Sequence, residues 1–295
     1  MNRESLIRIS VRSLYDQQKL RIQTGNRIVG SFRDKLGIEP SQAEEEVPEG
    51  ENILKALRAE YRLITDGVKS ITKSFKPQSN LLTTLGEVKL IEAYEHLMKS
   101  EESHIKLIES ELANYPIYTQ WLANVRGCGP LMAGVILSEI DITKCNSISA
   151  LWAYCGLDVV VTTNEETGEI IEEGRCRKKH HLVPKQYTNR DGEIVDTVGI
   201  TFNPFLKTKL VGVLGTVFIK LGGPYRQIYD GYKHRLENHP KHSQKTKGHR
   251  HNMAIRYMVK EFLADLWTEW RTLEGLPVRS RYAEEKLGIV HSKAA

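Results

Sequence analysis

The stretch NVRGCGPLMAGVILSEI, Asn124 to Ile140, decides how the second half of the chain folds. Two glycines, Gly127 and Gly129, flank one apolar residue, and apolar residues at helical spacing lie on both sides of them. Glycine permits a tight turn and close backbone approach. Pro130 suits the first turn of a helix, because it has no N–H group to leave unpaired. The pattern predicts a helix-hairpin-helix.

A turn of this kind has a chemical use. Free backbone N–H groups at the start of a helix bind phosphate, and Arg126 lies beside the turn as a positive charge. We therefore expect Arg126 and the backbone of Gly127 and Gly129 to hold a nucleic-acid backbone without reading bases. The alternative is a plain turn within a packed helical core.

The overall composition predicts an intracellular protein. The 295 residues carry a net charge of +5 and 40% apolar residues, which is enough for a hydrophobic core. The four cysteines form no CxxC pair, which is typical of reduced thiols rather than of a disulfide framework. No apolar run has the roughly 18 residues of a membrane span, and the N-terminal residues carry charges unlike a signal peptide. We expect a cytoplasmic protein that does not enter a membrane.

The first half of the chain is predicted to be helical. Apolar spacing indicates a helix over 6–36, and residues 39–51 hold six glutamates and no basic residue. Heptad spacing then predicts two helical arms joined by a turn at 76–80, either as a protruding coiled coil that dimerises or as two core helices of a bundle. The predicted organisation is an N-terminal helical segment (1–38), an acidic linker (39–51), a coiled-coil helical hairpin (52–117), a compact nucleic-acid-binding domain (118–275) and a tail (276–295).

The second half is predicted to be a compact helical domain with a small β-hairpin. Residues 159–163 and 170–171 are β-formers on either side of NEETG, which ends in a glycine. Further helices are predicted over 204–220, 225–236 and 249–273. The fold class is therefore mainly α.

Positive charge is concentrated in two segments. Residues 175–190 hold six Lys or Arg and no acid, and residues 233–260 hold eight with one acid. A localised basic face with interleaved aromatic residues is typical of nucleic-acid binding, and the alternative is a solvated loop. The candidate contacts to RNA or DNA are Arg175, Arg177, Lys178, Lys179, His180, Lys185, Tyr187, Lys241, Lys245, Lys247, His249, Arg250 and Arg256.

The sequence gives little support for a metal or catalytic site. The candidate metal ligands match no common zinc module. Cys155 and Cys176 have no evident base or orienting acid at readable spacing, and the aspartates of the second half are scattered. We therefore expect no metal, no cofactor and no catalytic residue. The metal ligands considered are His239, His242, His249 and His251, with Cys176 upstream.

Two motifs resemble a family of transposases. VRGCGPLMAGVILSEI followed by SISALWAYCGLD is similar to the C-terminal domain of IS110/IS116/IS902-type transposases, and so are PYRQIYDGYKHRL and KGHRHNMAIRYMVKEFLADLW. The resemblance covers about residues 118–275. Those transposases carry an acidic N-terminal nuclease domain and a serine soon after the AYxGL-like segment. In this chain, helices stand in place of the nuclease domain, and Thr162 or Thr163 stands in place of the serine.

The whole arrangement resembles a second group. A long helical hairpin before a compact basic domain is similar to Nop-domain proteins and to the related Tas proteins of TIGR systems. The resemblance implies a nuclease-free Tas protein that forms a homodimer through the coiled coil. It would hold a guide RNA on the Nop-like domain and use that RNA to recognise target DNA. The alternatives are a transposase-like recombinase that binds DNA and a dimeric interaction protein that binds no nucleic acid.

Overall fold

The protein folds mainly into helices. The computed structural model describes residues 3–36, 48–163, 168 and 170–279. The chain divides into two compact units, Met1–Ser110 and Glu111–Ala295. None of the helices among the described residues has the length and apolar content of a membrane span. The first unit contains α1 (Arg3–Leu36), α2 (Pro48–Thr65) and most of α3 (Leu85–Leu112).

The three helices of the first unit share one hydrophobic core. Phe32 of α1, Leu57 of α2 and Ile91 of α3 are each almost completely buried in it. The long N-terminal helix was predicted as a segment of its own, but its apolar face packs in the same core as the two later helices. Burial of these side chains stabilises the unit because it removes apolar surface from water. The buried core residues are Ile28, Val29, Phe32, Ile53, Leu57, Ile71, Leu82, Val88, Ile91 and Tyr94.

The predicted hairpin is wrong in its first arm. Helix α2 ends at Thr65, so the predicted helical positions up to Ile71 are not all helical. The connection to α3 runs over residues 66–84 rather than 76–80, and it contributes Ile71 and Leu82 to the core. The apolar spacing correctly predicted that these residues are buried, but it wrongly predicted that they are all helical. Helix α2 begins at Pro48, so the end of the predicted linker is helical, while residues 39–47 lie outside the described residues.

Acidic residues on α3 are paired with basic residues of the other two helices. Glu101 interrupts the heptad pattern, and its Oε2 atom lies 2.5 Å from Nε of Arg21 on α1. Glu95 is nearly buried and forms an ion pair with Arg58 of α2. These positions are polar because α3 faces two helices, whereas a two-helix hairpin would leave them in solvent.

Most of the second unit is helical, and the predicted helices over 204–220, 225–236 and 249–273 are confirmed. A π-helical stretch, Lys209–Leu214, continues the helical run between the fourth and fifth helices of this unit. The helices are α4 (Pro116–Gln120), α5 (Pro130–Glu139), α6 (Ile148–Tyr154), α7 (Pro204–Thr208), α8 (Gly215–Leu221), α9 (Pro224–Asn238), α10 (Pro240–Ser243) and α11 (Lys247–Leu273).

Helix α11 forms the centre of the second core. The ring of Phe262 is fully buried and contacts Trp121, Phe218 and Tyr225, with centroids 5.4 to 5.9 Å away. Arg271 lies at the end of α11, where its buried guanidinium donates hydrogen bonds to the carbonyl oxygens of Ile142, Cys145 and Pro277. Helix α11 therefore organises the helical part of the unit.

Two separate antiparallel hairpins lie between α6 and α7. The first pairs β1 (Val159–Thr163) with β2 (Ile170–Gly174), as predicted, although residues 164–167 of its turn lie outside the described residues. The second pairs β3 (Val183–Thr188) with β4 (Ile194–Gly199) and was not predicted. Its strands occupy much of the segment in which only a basic stretch was recognised.

Candidate nucleic-acid interface

The glycine turn has the backbone that the sequence predicts, but its first helix is short. Gly127 has φ 98°, and a Cβ atom there would lie 3.1 Å from side-chain atoms of Val217 and Phe218. Gly129 is the N-cap of α5. The chain before the turn was expected to be a continuous helix. It consists instead of α4 and a 3₁₀ turn, Leu122–Asn124. Close packing against α8 therefore requires the glycine at 127.

The pocket beside this turn has three acidic residues among mostly apolar and neutral polar ones. Arg126 is exposed at its edge, but Glu261, Asp265 and Glu269 line it from one face of α11. Tyr225 also lines it, and its hydroxyl donates a hydrogen bond of 3.1 Å to Asp265. Burial and then the charge of Asp265 raise the pKa of Tyr225 well above its ordinary value. The three carboxylates oppose the binding of a phosphate inside this pocket.

Several cations of the first basic segment are bound by other groups of the protein. Arg175 forms a bidentate ion pair with Asp158, with N–O distances of 2.7 to 2.9 Å. Lys178 is paired with Glu173, and Lys185 donates a hydrogen bond to a backbone carbonyl oxygen. The ammonium and guanidinium groups that have no such partner among the described residues belong to Arg177, Lys179 and Arg190, and all three are exposed.

The second basic segment also contains both paired and unpaired cations. Lys241 pairs with Glu172 at 3.1 Å. Arg250 donates hydrogen bonds to backbone carbonyl oxygens of its own loop, and the half-buried Arg256 donates to those of Gly156 and Asp158. Lys245 and Lys247 have no side-chain partner among the described residues. His249 is exposed.

Strand β2 joins the two basic segments. Its neighbouring residues Glu172 and Glu173 bind Lys241 and Lys178 respectively. Gly174 ends the strand against the guanidinium of Arg256, where a Cβ atom would lie 2.2 Å from the nearest nitrogen. The fold therefore brings both segments to one hairpin. We call four of the unpaired cations on these segments the basic interface: Arg177, Lys179, Lys245 and Lys247.

The remaining predicted contacts are less defined. Tyr187 of β3 is 54% exposed and has room to stack on a base. The side chain of His180 lies outside the described residues. Thr162 and Thr163, the positions considered for a recombinase nucleophile, lie on β1, and the Thr162 hydroxyl has no hydrogen-bond partner among the described residues.

Two of the histidines considered for zinc, His251 and His239, have other partners. The hydroxyl of Tyr229 lies 2.6 Å from Nδ1 of His251, and His239 caps α10 by accepting a hydrogen bond from the N–H of Lys241. Among the described residues, one group of three side chains has metal-binding donors close together, and it was not predicted: Glu173, Cys176 and His181. His181 supplies the base that Cys176 was expected to lack. The signal in the sequence was the five-residue spacing, which a turn can close.

No protein-family model, no curated protein and no solved structure matches this chain.

Proposed function

We propose that the protein binds RNA on the basic interface and uses that RNA as a guide to recognise DNA, without a nuclease of its own. The observation that supports this proposal best is the meeting of two basic segments at β2, where Lys178 and Lys241 are neutralised and other cations are not. Unpaired exposed cations bind phosphate at little desolvation cost, because they give up only water.

The second hairpin exposes an aromatic residue, Tyr187, on one face and apolar residues, Ile194 and Val198, on the other. Tyr187, Ile194 and Val198 are each more than half exposed on β3 and β4. An isolated two-stranded hairpin is marginally stable in water, so a partner that covers it would stabilise it. Stacking of bases on Tyr187 and contact of the RNA backbone with nearby cations would do so.

In this proposal, base pairing between the guide RNA and the DNA would determine which DNA sequence is bound. The unpaired cations contact phosphates and read no bases, so the protein would recognise the shape of an RNA and of an RNA–DNA duplex. We include the glycine turn as a weaker contact. Arg126 is exposed, but the carboxylates in the adjacent pocket limit its contribution.

We also propose that the protein forms a homodimer through the first unit. Leu63 of α2, Leu90 and Leu107 of α3 are exposed, with Leu63 72% exposed. Burial of such residues between two copies would favour association. Light scattering after gel filtration would report a mass twice that of the chain, and Leu63→Glu should reduce it to one chain.

The first experiment is to express the protein together with the genomic DNA that flanks its gene, to purify it, and to sequence the RNA that co-purifies. A discrete short RNA supports the proposal, and DNA complementary to that RNA should then bind more tightly to the complex than scrambled DNA. Random fragments or no RNA would contradict the guide function. Cleavage of supercoiled DNA with Mg²⁺, with a covalent adduct lost in Thr162→Ala or Thr163→Ala, would favour the recombinase alternative.

The second experiment separates paired cations from unpaired ones. With a fluorescein-labelled RNA hairpin of mixed sequence, we expect Lys179→Ala and Lys247→Ala each to weaken binding and to lower the salt slope by about one. Lys178→Ala should have a smaller effect, because Glu173 already neutralises that lysine. Lys220→Ala on α8 is the matched control, since it removes an exposed lysine outside both basic segments. Equal results for Lys179→Ala and Lys220→Ala would contradict the assignment.

A further inference from the structure

Cys176, His181 and Glu173 form a connected chain of side chains at the end of β2. The Sγ atom of Cys176 lies 3.1 Å from Nδ1 of His181. Nε2 of His181 lies 3.4 Å from Oε1 of Glu173, at ion-pair distance but without a hydrogen bond between the two atoms. The backbone N–H of Cys176 also donates to Nδ1, so Nδ1 carries a lone pair and the ring proton is on Nε2. Nδ1, which accepts the amide N–H, therefore lies within reach of the thiol, and a carboxylate lies close to the ring.

Cys176 differs from the other three cysteines in its access to solvent. It is half-buried, whereas Cys128, Cys145 and Cys155 are buried. Burial raises the pKa of Cys128 to about 12 and that of Cys145 to about 11, and it raises the pKa of Cys155 as well. A thiol reacts as its thiolate, so these three are inert near neutral pH. The imidazole of His181 is fully buried, which fixes it against the accessible thiol.

Cations from three parts of the unit interact with Cys176. Lys178 in the same loop, Lys207 of α7 and Arg256 of α11 each interact electrostatically with it. Lys207 is held there because its Nζ donates a hydrogen bond of 2.5 Å to the carbonyl oxygen of Arg175. Positive charge favours the thiolate form of a cysteine. The exposed Arg177 adds charge at the solvent side.

We propose that Cys176 is a nucleophilic thiol site, with His181 as base and Glu173 as the residue that positions it, and that it exchanges with small, negatively charged disulfides. Nδ1 of His181 takes the thiol proton and replaces its hydrogen bond from the amide with one to the thiolate. The thiolate attacks one sulfur of the disulfide. A new S–S bond to Cys176 forms, the S–S bond of the reagent breaks, and the departing thiolate takes the proton from His181.

A bound metal ion is the other use that this cluster offers. The thiol sulfur, a ring nitrogen and a carboxylate oxygen lie within 4.8 Å of one another. In the present geometry Nδ1 accepts the amide N–H of Cys176, and protection of the thiol by Zn²⁺ distinguishes metal binding from thiol exchange.

The test is to measure how fast each cysteine of the full-length protein reacts with glutathione disulfide at pH 7 in the presence of EDTA, using mass spectrometry of peptides. We expect Cys176 to react at least about tenfold faster than the other three, because it is accessible and has a histidine nitrogen within reach of its sulfur. Cystamine, a disulfide with positive charge, should react more slowly with Cys176 at low salt, and the difference should shrink as salt screens the charges. Cys176→Ser should remove the adduct.

Two matched variants distinguish an effect on the reactivity of Cys176 from an effect on folding. Glu173→Gln should slow the reaction of Cys176 several-fold, because the imidazole loses the carboxylate that orients it and stabilises its protonated form. Glu172→Gln, one residue earlier on β2, breaks the ion pair to Lys241 and should leave the rate unchanged. Circular dichroism would verify that both variants fold. His181→Asn should slow the reaction further.

Three results would overturn the proposal. The first is a rate for Cys176 no higher than that of the buried cysteines. The second is an equal effect of Glu173→Gln and Glu172→Gln, which would reduce Glu173 to a structural role. The third is protection of Cys176 by one equivalent of Zn²⁺ that EDTA reverses, which would make the cluster a metal site.

Discussion

The two β-hairpins follow each other in sequence, yet their attachments differ. Side chains from three helices reach β1–β2 and the residues that flank it: Lys207 of α7, Lys241 of α10 and Arg256 of α11. In the part of the chain that the structure describes, no side-chain hydrogen bond or ion pair joins β3 or β4 to a helix. We therefore call β1–β2 the anchored hairpin and β3–β4 the free hairpin.

The difference shows two ways in which a fold uses a short hairpin. In the anchored hairpin, charged residues are held by the protein, so the strand can position the Cys176 loop and bring two basic segments together. Both hairpins leave apolar residues in solvent, with Ile170 67% and Ile194 72% exposed, but among the described residues the free hairpin has no side-chain tie to a helix. Exposed apolar area of this kind is typical of a surface that contacts a partner. The anchored hairpin supports the site, and the free hairpin extends it.

The sharpest test of the comparison uses one glycine next to each hairpin. Gly156 precedes β1 with φ 66°, and a Cβ atom there would lie 2.5 Å from the ring of Phe202. Gly192, in the turn of β3–β4, has φ 85° and no atom within 4 Å of such a Cβ. We expect Gly156→Ala to lower the free energy of unfolding by about 2–4 kcal/mol, from backbone strain and overpacking together. Gly192→Ala should cost about 1 kcal/mol from strain alone.

Tryptophan fluorescence during urea unfolding is the right measurement, because all four tryptophans lie in the second unit. The signal therefore reports that unit and not the first. Similar losses for the two glycine variants would show that the residues before β1 are as loosely packed as the β3–β4 turn.

A smaller effect is expected from the cations attached to the two hairpins. Arg256→Met removes the hydrogen bonds to Gly156 and Asp158 from a half-buried guanidinium, and we expect a loss of about 1–3 kcal/mol. Lys185→Met removes an exposed hydrogen bond on the free hairpin, and we expect less than about 0.5 kcal/mol. The same fluorescence measurement compares them. A loss in Lys185→Met as large as that in Arg256→Met would mean that the free hairpin is also anchored.

The smallest effect is a pH dependence from Lys207. Burial lowers its pKa from the ordinary 10.5 to about 8. Between these values the unfolded chain holds a proton that the folded chain has released, so this residue makes stability rise with pH in that window. Lys207→Met should flatten the rise between pH 8 and pH 10. Parallel urea midpoints for the two proteins over this range would contradict the assignment, and Lys220→Met is the control for loss of a lysine.

The second hairpin could have been predicted, because its turn has a recognisable sequence. Asp191-Gly192 follows Asn189, and the backbone N–H of Asn189 donates to the carbonyl oxygen of Glu193 across the turn. A DG pair between β-branched residues favours a hairpin. From the sequence, this segment was interpreted only through its basic charge, as a contact for nucleic acid. Charge and strand conformation are compatible here, because both faces of this hairpin meet solvent.

The end of α2 could not have been predicted from apolar spacing. Ile71 falls at the spacing of a helix and is buried, but it lies in the connection to α3. Hydrophobic periodicity reports which residues are buried and reports conformation only indirectly. The long α1 helix supplies a third side to this core, with Ile28 and Phe32 buried in it.

The sequence by itself determined the local features of this protein. Glycine at 127 fixes the turn before α5, the periodic apolar residues fix the long helices, and the composition fixes where cations concentrate. These features depend on backbone sterics and on spacing within one element. The tertiary structure decided which cations stay unpaired and which cysteine has a base. Those outcomes depend on Asp158, Glu172 and Glu173, whose distances to other segments exist only after the strands pair and the helices pack.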